Sequence, residues 1–339
     1  MSSQMQREIA EIPAATARLL REAAAPLRAA GEALARTDPR VVVTIARGSS
    51  DHVSTYLKYA IELVAGVPVA SVGPSVASIY GARLSLAGSA AIAVSQSGAS
   101  PDIVSMSASA REGGALTIAL TNTAGSALAE ACDHAIDIAA GPERSVAATK
   151  SFVASTVAGL AILAHWRQDR ALLAALEALP DHFAKALDRD WSPMNAALDD
   201  ARSLFVLGRG PSFAIAHEVA LKFKETSRLH AEAYSAAEVM HGPLALVEPG
   251  FPVLALAVRD AAQASTVAAA DALAAKGAAA FVTSAAKAAH ALPAAATGHP
   301  LTDPLALVVS FYAFVEAFAR RRGFDPDQPR NLRKVTETR

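Results

Sequence analysis

The sequence predicts an α/β protein made of two tandem, doubly wound parallel-sheet domains, with an N-terminal helix ahead of them and a C-terminal tail behind. Three observations predict it. Short runs rich in Val, Ile and Ala alternate with longer stretches of helical spacing, the pattern of a parallel sheet covered by helices on both faces. The pattern then restarts: SLFVLGRGPS at 203–212 echoes VVTIARGSS, and Arg47 and Arg209 lie 162 positions apart, the mark of an internal duplication. The length of 339 residues is enough for two domains, each with a core of its own.

In chain order, Val41–Ala46 reads as a buried strand that runs into the turn Arg47-Gly48-Ser49-Ser50. Helical spacing over 53–66 follows, with Gly66 as its C-cap. PVASV at 68–72, Ala90–Ser95 and Ala115–Leu120 are further buried strands, and helices cover Pro101–Glu112 and roughly Val146–Trp166. In the second copy the strand at 203–208 leads into a Gly-rich turn and a helix. Strands recur at Val253–Val258 and Ala278–Ser284 around an alanine-rich helix, and a long helix spans about Pro304–Arg320. Asp, Trp, Ser and Pro interrupt the helical run at Asp188–Asn195, which marks the linker. The expected divisions are 1–190 for the lead-in helix and first domain, 195–322 for the second domain and 323–339 for the tail.

Composition excludes several function classes. The net charge of −1 provides no global field to recruit nucleic acid or an anionic membrane. Aromatics, at 5%, are too scattered for a base-stacking platform. The single cysteine, Cys132, cannot form a disulfide within the chain and reads as a small buried residue, which fits a reducing cytoplasm. MSSQMQREIAEI carries charges where a signal peptide has its apolar run. The longest apolar stretches carry Ser, Thr or His or fall short of the roughly 20 residues of a membrane span. No His/Asp/Glu spacing reads as a metal site, and no cofactor is expected. A cytoplasmic location follows as the expectation.

Chemistry should sit where strands of a parallel sheet run into helices. Three such loops carry hydroxyls: 47–50, Ser95-Gln96-Ser97-Gly98-Ala99-Ser100, and Thr121-Asn122-Thr123. Helix N-termini with hydroxyls beside them hold phosphate without needing Lys or Arg. Turn formation and N-capping explain any one of these loops equally well. That explanation is weakest for SQSGAS, a run of small and polar residues directly after a buried strand. Lys222 and Glu225, three apart, share a helix face. A surface ion pair is the common fate of that spacing, but this helix starts at the ligand-binding edge of the second sheet. His241 precedes Gly-Pro, a rigid turn, although spacing alone does not separate it from a structural histidine.

These residues resemble those of the sugar isomerase (SIS) family, on the pattern of the isomerase half of glucosamine-6-phosphate synthases and of stand-alone SIS-type deaminases. The resemblance runs over nearly the whole chain, through MQREIAEIPAA, SQSGAS with Asp102, GPERSVAATKSF, the segment LGRGPSFAIAHEVALKFKETSRLHAEAYSAAEVMHGPLAL, and DPDQPRNLRKVTE. SQSG is shared by many SIS proteins, whereas the long segment and the tail together are highly specific. The resemblance implies that Ser50, Ser95, Gln96, Ser97 and Ser100 hold a sugar phosphate and that backbone at Val146 and Ala147 touches the sugar. It also implies that Glu225 shuttles a proton between carbons 1 and 2, that Lys222 stabilises charge on the sugar oxygen, and that His241 opens the ring from a neighbouring subunit. Lys334 would form an imine with the open-chain ketose. Ala148 stands where the family has serine, and Ser100 where it has threonine.

These roles suit the chemistry. One carboxylate can take and return a proton, a nearby cation stabilises developing oxyanion charge, and an amine becomes nucleophilic once it gives up its proton. The only thiol is Cys132, so no glutaminase is expected within the chain, and mass action then favours ammonia release. The reading is a homodimeric glucosamine-6-phosphate deaminase giving fructose 6-phosphate and ammonia, with a small-molecule sugar phosphate as its ligand. The alternatives are a fructosamine-phosphate deglycase, a galactosamine-6-phosphate deaminase, an ammonia-using synthase-type isomerase, and a non-catalytic sugar-phosphate sensor.

Overall fold

A computed structural model of the chain describes residues 2–334. Its first sheet contains β1 (Val42–Ile45), β2 (Val69–Ser71), β3 (Ala90–Val94), β4 (Leu116–Thr121) and β5 (His134–Asp137), in the order β2-β1-β3-β4-β5. The second contains β6 (Ser203–Gly208), β7 (His230–Ser235), β8 (Pro252–Ala255), β9 (Ala279–Val282) and β10 (His290–Ala291), in the order β7-β6-β8-β9-β10. Every pairing is parallel. The two sheets share one permutation of strands, which is the duplication expressed in three dimensions.

The central strands form where the sequence is apolar without interruption. All four residues of β1 and all five of β3 are buried, as strands covered on both faces must be. The buried-run criterion does not find β5, β7 and β10. Each is an edge strand, and each carries polar residues that stay out of the core: His134 and Asp137, His230 and Glu232, His290.

Helices match their sequence signals closely. Pro101–Glu112 falls where the spacing places it, with Pro101 at its start. The helix Ser49–Ala65 ends at Gly66 in the left-handed conformation (φ 69°). The last long helix is Asp303–Arg321. The helix expected from Val146 begins later, at Lys150. The reason is Glu143, whose buried carboxylate accepts from the Ser151 backbone N–H (3.1 Å) and hydroxyl (2.6 Å) and keeps residues 144–149 as a loop. The N-terminal helix is in fact three: Gln4–Ala10, Ile12–Glu22 and Ala24–Thr37. At the linker, Trp191 is buried and donates its indole N–H to the Pro293 carbonyl (2.9 Å).

The chain divides into two compact units that interleave in sequence. One holds Ala14–Glu143, Lys150–Glu177, Arg333 and Lys334; it contains the first sheet. The other holds the residues up to Pro13, Arg144–Thr149 and Ala178–Leu332; it contains the second sheet. Within this second unit, Asp327 accepts from the backbone N–H groups of Gln4 (2.6 Å) and Met5 (2.7 Å) at the start of the first helix, a favourable place for a carboxylate. Among the described residues no helix is long and apolar enough to cross a membrane.

Candidate functional site

In the first unit, Gly48 takes φ 58°, ψ −135° at the N-cap of the helix Ser49–Ala65 and so turns the chain from β1 into that helix with Ser50 in its first turn. Few residues other than glycine adopt this conformation. The loop after β3 is tied down by its own backbone. Gly98 N–H reaches Ser95 O and Oγ (both 3.2 Å), Ala99 N–H reaches Ser97 Oγ (3.3 Å), and Asn122 N–H reaches Gln96 O (3.0 Å). Ser95 and Ser97 therefore serve as acceptors within the turn, which leaves their hydroxyl protons to donate outward. Gly98 is required by both conformation and space: its φ is 61°, and a Cβ there would lie 2.1 Å from Ser126 Oγ. Ser100 is the N-cap of Pro101–Glu112, yet its side chain makes no capping hydrogen bond. Its hydroxyl is not spent on the helix.

These groups surround a crevice of about 330 Å³ lined by Arg47, Ser50, the Ser95–Ser97 run, Ser100 and Lys334. That volume lies at the small end of ligand pockets. Arg47 pairs with the buried Asp102 on the first turn of Pro101–Glu112, which holds the guanidinium at the crevice wall. Lys334, from the tail, places its ammonium 2.9 Å from Glu143 Oε2. The structure thus brings Ser50, Ser95, Gln96, Ser97, Ser100 and Lys334 together. Glu143 is the residue the sequence reading passed over. Its signal was available, since it is the only acidic residue between Asp137 and Asp169.

In the second unit, Gly210 opens the helix Pro211–Ser227 at φ 60°, ψ −138°. Lys222 on this helix is fully buried, with its ammonium 2.6 Å from Glu225 Oε2 and 3.2 Å from Glu218 Oε1. Tyr312 donates its hydroxyl to Glu218 (2.9 Å). Burial alone would push the Lys222 ammonium down. The Glu218 charge and then that of Glu225 outweigh it, so the group is held above the ordinary lysine range. Glu225 remains 19% exposed, which leaves one carboxylate of the pair open to a ligand. Glu218, also unmarked in the sequence reading, was findable from its i, i+4 and i+7 spacing to Lys222 and Glu225.

The rest of that segment divides into different elements. His230 and Glu232 lie on β7, where Glu232 accepts from the Tyr234 hydroxyl (2.9 Å). His241 is exposed, at the N-cap of a short 3-10 turn over Gly242–Leu246. In the same unit, buried Glu8 accepts from the backbone N–H groups of Arg144 (2.5 Å) and Ser145 (3.2 Å). This fixes the loop that carries Val146 and buried Ala147. Among the described residues no group of three or more His, Cys, Asp or Glu side chains is placed to hold a metal ion.

Comparison with known proteins agrees with the two-sheet fold. The SIS domain model matches twice, at residues 37–165 and 197–319. A glutamine--fructose-6-phosphate aminotransferase (isomerizing) of Aeropyrum pernix is 35% identical over 98% of this chain and 56% of its own length. The chain spans about half the length of the curated relatives it matches. Among solved structures, a protein of Silicibacter pomeroyi provisionally described as a phosphosugar isomerase is 56% identical, with a TM-score of 0.94, over 96% of this chain and 100% of that one. The C-terminal domain of a glucosamine-fructose-6-phosphate aminotransferase from Francisella tularensis is 25% identical, with a TM-score of 0.82, over 97% and 99%. With both SIS segments matched and the fold shared along its length, the chain belongs to the SIS domain family.

Proposed function

We propose that this SIS enzyme converts glucosamine 6-phosphate to fructose 6-phosphate and ammonia by aldose–ketose isomerisation. The observation that carries the reading is the buried Lys222 ammonium held against the partly exposed Glu225 carboxylate. It supplies a permanent cation beside a proton acceptor, the pair that proton transfer between adjacent carbons needs.

On this reading the hydroxyls of Ser50, Ser95, Ser97 and Ser100, with Gln96, hold the phosphate, and backbone at Val146 and Ala147 touches the sugar. His241 opens the ring of a sugar bound by the neighbouring chain of a homodimer; its exposure supports that role. Glu225 takes the carbon-2 proton of the open aldose and returns it at carbon 1, while Lys222 stabilises charge on oxygen 1. The product is a ketimine at carbon 2. Attack by Lys334 Nζ expels ammonia and leaves a lysine-linked imine, and water then releases fructose 6-phosphate. The direction rests on mass action. Cys132 is buried, and burial first pushes its thiol up to about 11, so it is no nucleophile for glutamine. Where free ammonia is the amine exchanged and its concentration is low, mass action favours release.

The test is ammonia release from glucosamine 6-phosphate by the purified protein, coupled to detection of fructose 6-phosphate. Equal amounts of the two products are expected. Binding without either product would overturn the reading and direct attention to fructosamine phosphates.

A further inference from the structure

The Lys334 ammonium does not stand alone in the crevice. Glu143 Oε2 lies 2.9 Å from it, and Glu143 is itself fully buried on its side chain while Lys334 is 22% exposed. The carboxylate is aimed by Ser151, whose hydroxyl donates to Oε2 (2.6 Å) and whose backbone N–H donates to Oε1 (3.1 Å). Ser151 lies in the first turn of Lys150–Arg167, so the acceptor, itself in the preceding loop, is anchored to the start of a helix rather than to the tail it receives. A surface ion pair contributes little and is screened. A carboxylate removed from water and turned by two donors toward one amine is a proton acceptor already in place. Besides Lys334, the charged residue that lines this crevice is Arg47, which pairs with Asp102. That pair is internally neutralised, and the carboxylate that meets Nζ is Glu143.

We infer that Glu143 seats Lys334 in the phosphate-loop crevice and carries the proton that imine formation moves. This inference rests on the imine role proposed above for Lys334. The ammonium gives one proton to Glu143 Oε2. The freed Nζ lone pair forms the bond to the ketose carbon 2, and the carbonyl π pair goes to oxygen, which takes a second proton from nitrogen. Glu143 then returns its proton to that hydroxyl. The C–O bond breaks, water leaves, and a protonated imine remains. One ammonium and one ketone become one iminium and one water, and the carboxylate ends as it began. For the amino-sugar ketimine the same exchange expels ammonia in place of water. Glu143 is a positioning and proton-carrying residue that acts through Lys334.

The experiment uses the full chain with fructose 6-phosphate and sodium borohydride, which reduces the imine to a stable amine read by intact mass. Wild type is expected to gain one sugar phosphate per chain, and Lys334→Arg none. Glu143→Gln is expected to trap roughly a hundredfold more slowly near neutral pH. Its rate should climb as pH rises, because solution hydroxide must remove the proton that Glu143 no longer takes; a purely structural role would not produce that profile. Trapping by Glu143→Gln at the wild-type rate and profile overturns the inference and leaves the imine role standing. No adduct on wild type, or an adduct that survives Lys334→Arg, overturns the imine role and this inference with it. If Glu143→Gln does not fold, Glu143→Asp decides: the charge is kept but drawn back, so trapping should slow by about tenfold, and an unchanged rate counts against the proposal.

Discussion

The turn at Gly48 and the turn at Gly210 have nearly the same backbone, φ/ψ 58/−135° and 60/−138°, and open helices of equal length from equivalent strands. The chemistry on those helices is opposite. Across the 162-residue offset, Glu218, Lys222 and Glu225 correspond to Tyr56, Ala60 and Leu63. At these three positions one helix carries a charged set and the other does not. The loops after β3 and β8 reverse the contrast. After β3, Ser95 to Ser100 leave hydroxyl donors facing a crevice. After β8, Asp260 accepts from the Ala262 backbone N–H (2.9 Å), and Arg259 is bound by Asp303 (3.2 Å). In the second copy, carboxylates of its own chain therefore occupy the backbone N–H and the guanidinium beside this loop. On the proposed assignment of roles, duplication fixed a backbone and each copy carries a different half of the chemistry.

The largest test of this division is Glu225→Gln. Turnover should fall by roughly a hundredfold to ten-thousandfold, while sugar-phosphate binding, followed by ligand-induced thermal shift, should persist, because the donors belong to the other copy. Loss of both together would break the division. Next in size is Lys222→Met, which leaves Glu218 buried without its cation and should cost about 3–5 kcal/mol in denaturant unfolding. Adding Glu218→Gln should recover part of that, since the first copy packs Tyr56 and Ala60 at these positions without charge. The folded-state pKa of Lys222 is raised, so its contribution is complete below the ordinary lysine pKa and is lost only as pH rises through the raised value. The stability gap between wild type and Lys222→Met should therefore stay flat from pH 6 to 9, read by chemical denaturation across that range. Smaller again is Ser97→Ala, expected to weaken fructose 6-phosphate binding by about 1.5–3 kcal/mol, the worth of a hydrogen bond to a charged group. Ser265→Ala, which removes the hydroxyl that Arg209 touches in the other copy (3.3 Å), should leave binding unchanged.

Most of this architecture is legible from the residues. Central strands declare themselves because burial on both faces demands apolar runs, and the repeated Arg-Gly-x-Ser turn exposes the duplication. Three of the four edge strands are concealed because polar residues interrupt their apolar pattern, as His230 and Glu232 do in β7; β2, the fourth, is found from PVASV. The site was half legible. Serines after a buried strand and a Lys–Glu pair after a glycine turn are local patterns. Glu143 and Glu218 leave fainter signals, an isolated acid and a helical spacing, and their roles depend on what the fold brings to them, a tail lysine 191 residues away in one case and a tyrosine 94 residues away in the other. The late start of the helix at Lys150 has the same origin. Nothing in VAATKSF forbids helix from Val146, but a buried carboxylate claims the Ser151 N–H.

The finest test of the comparison is the matched pair Gly48→Ala and Gly210→Ala. At both positions a Cβ would meet nothing within 4 Å, so neither substitution creates a clash. What remains is backbone strain at a positive φ with strongly negative ψ, worth about 1–3 kcal/mol. Because the two turns share their dihedral angles, the two losses in unfolding free energy should agree within a few tenths of a kcal/mol. Function should separate them. Relaxing the turn at Gly48 shifts the first turn of the helix that carries Ser50, so the cost should appear as weaker sugar-phosphate affinity with turnover at saturation kept. Relaxing the turn at Gly210 shifts the helix that carries Lys222 and Glu225, so it should appear as slower turnover with affinity kept. Equal stability losses with opposite functional signatures would show one inherited geometry serving two tasks. Equal losses with the same signature would mean that the copies share the work rather than divide it.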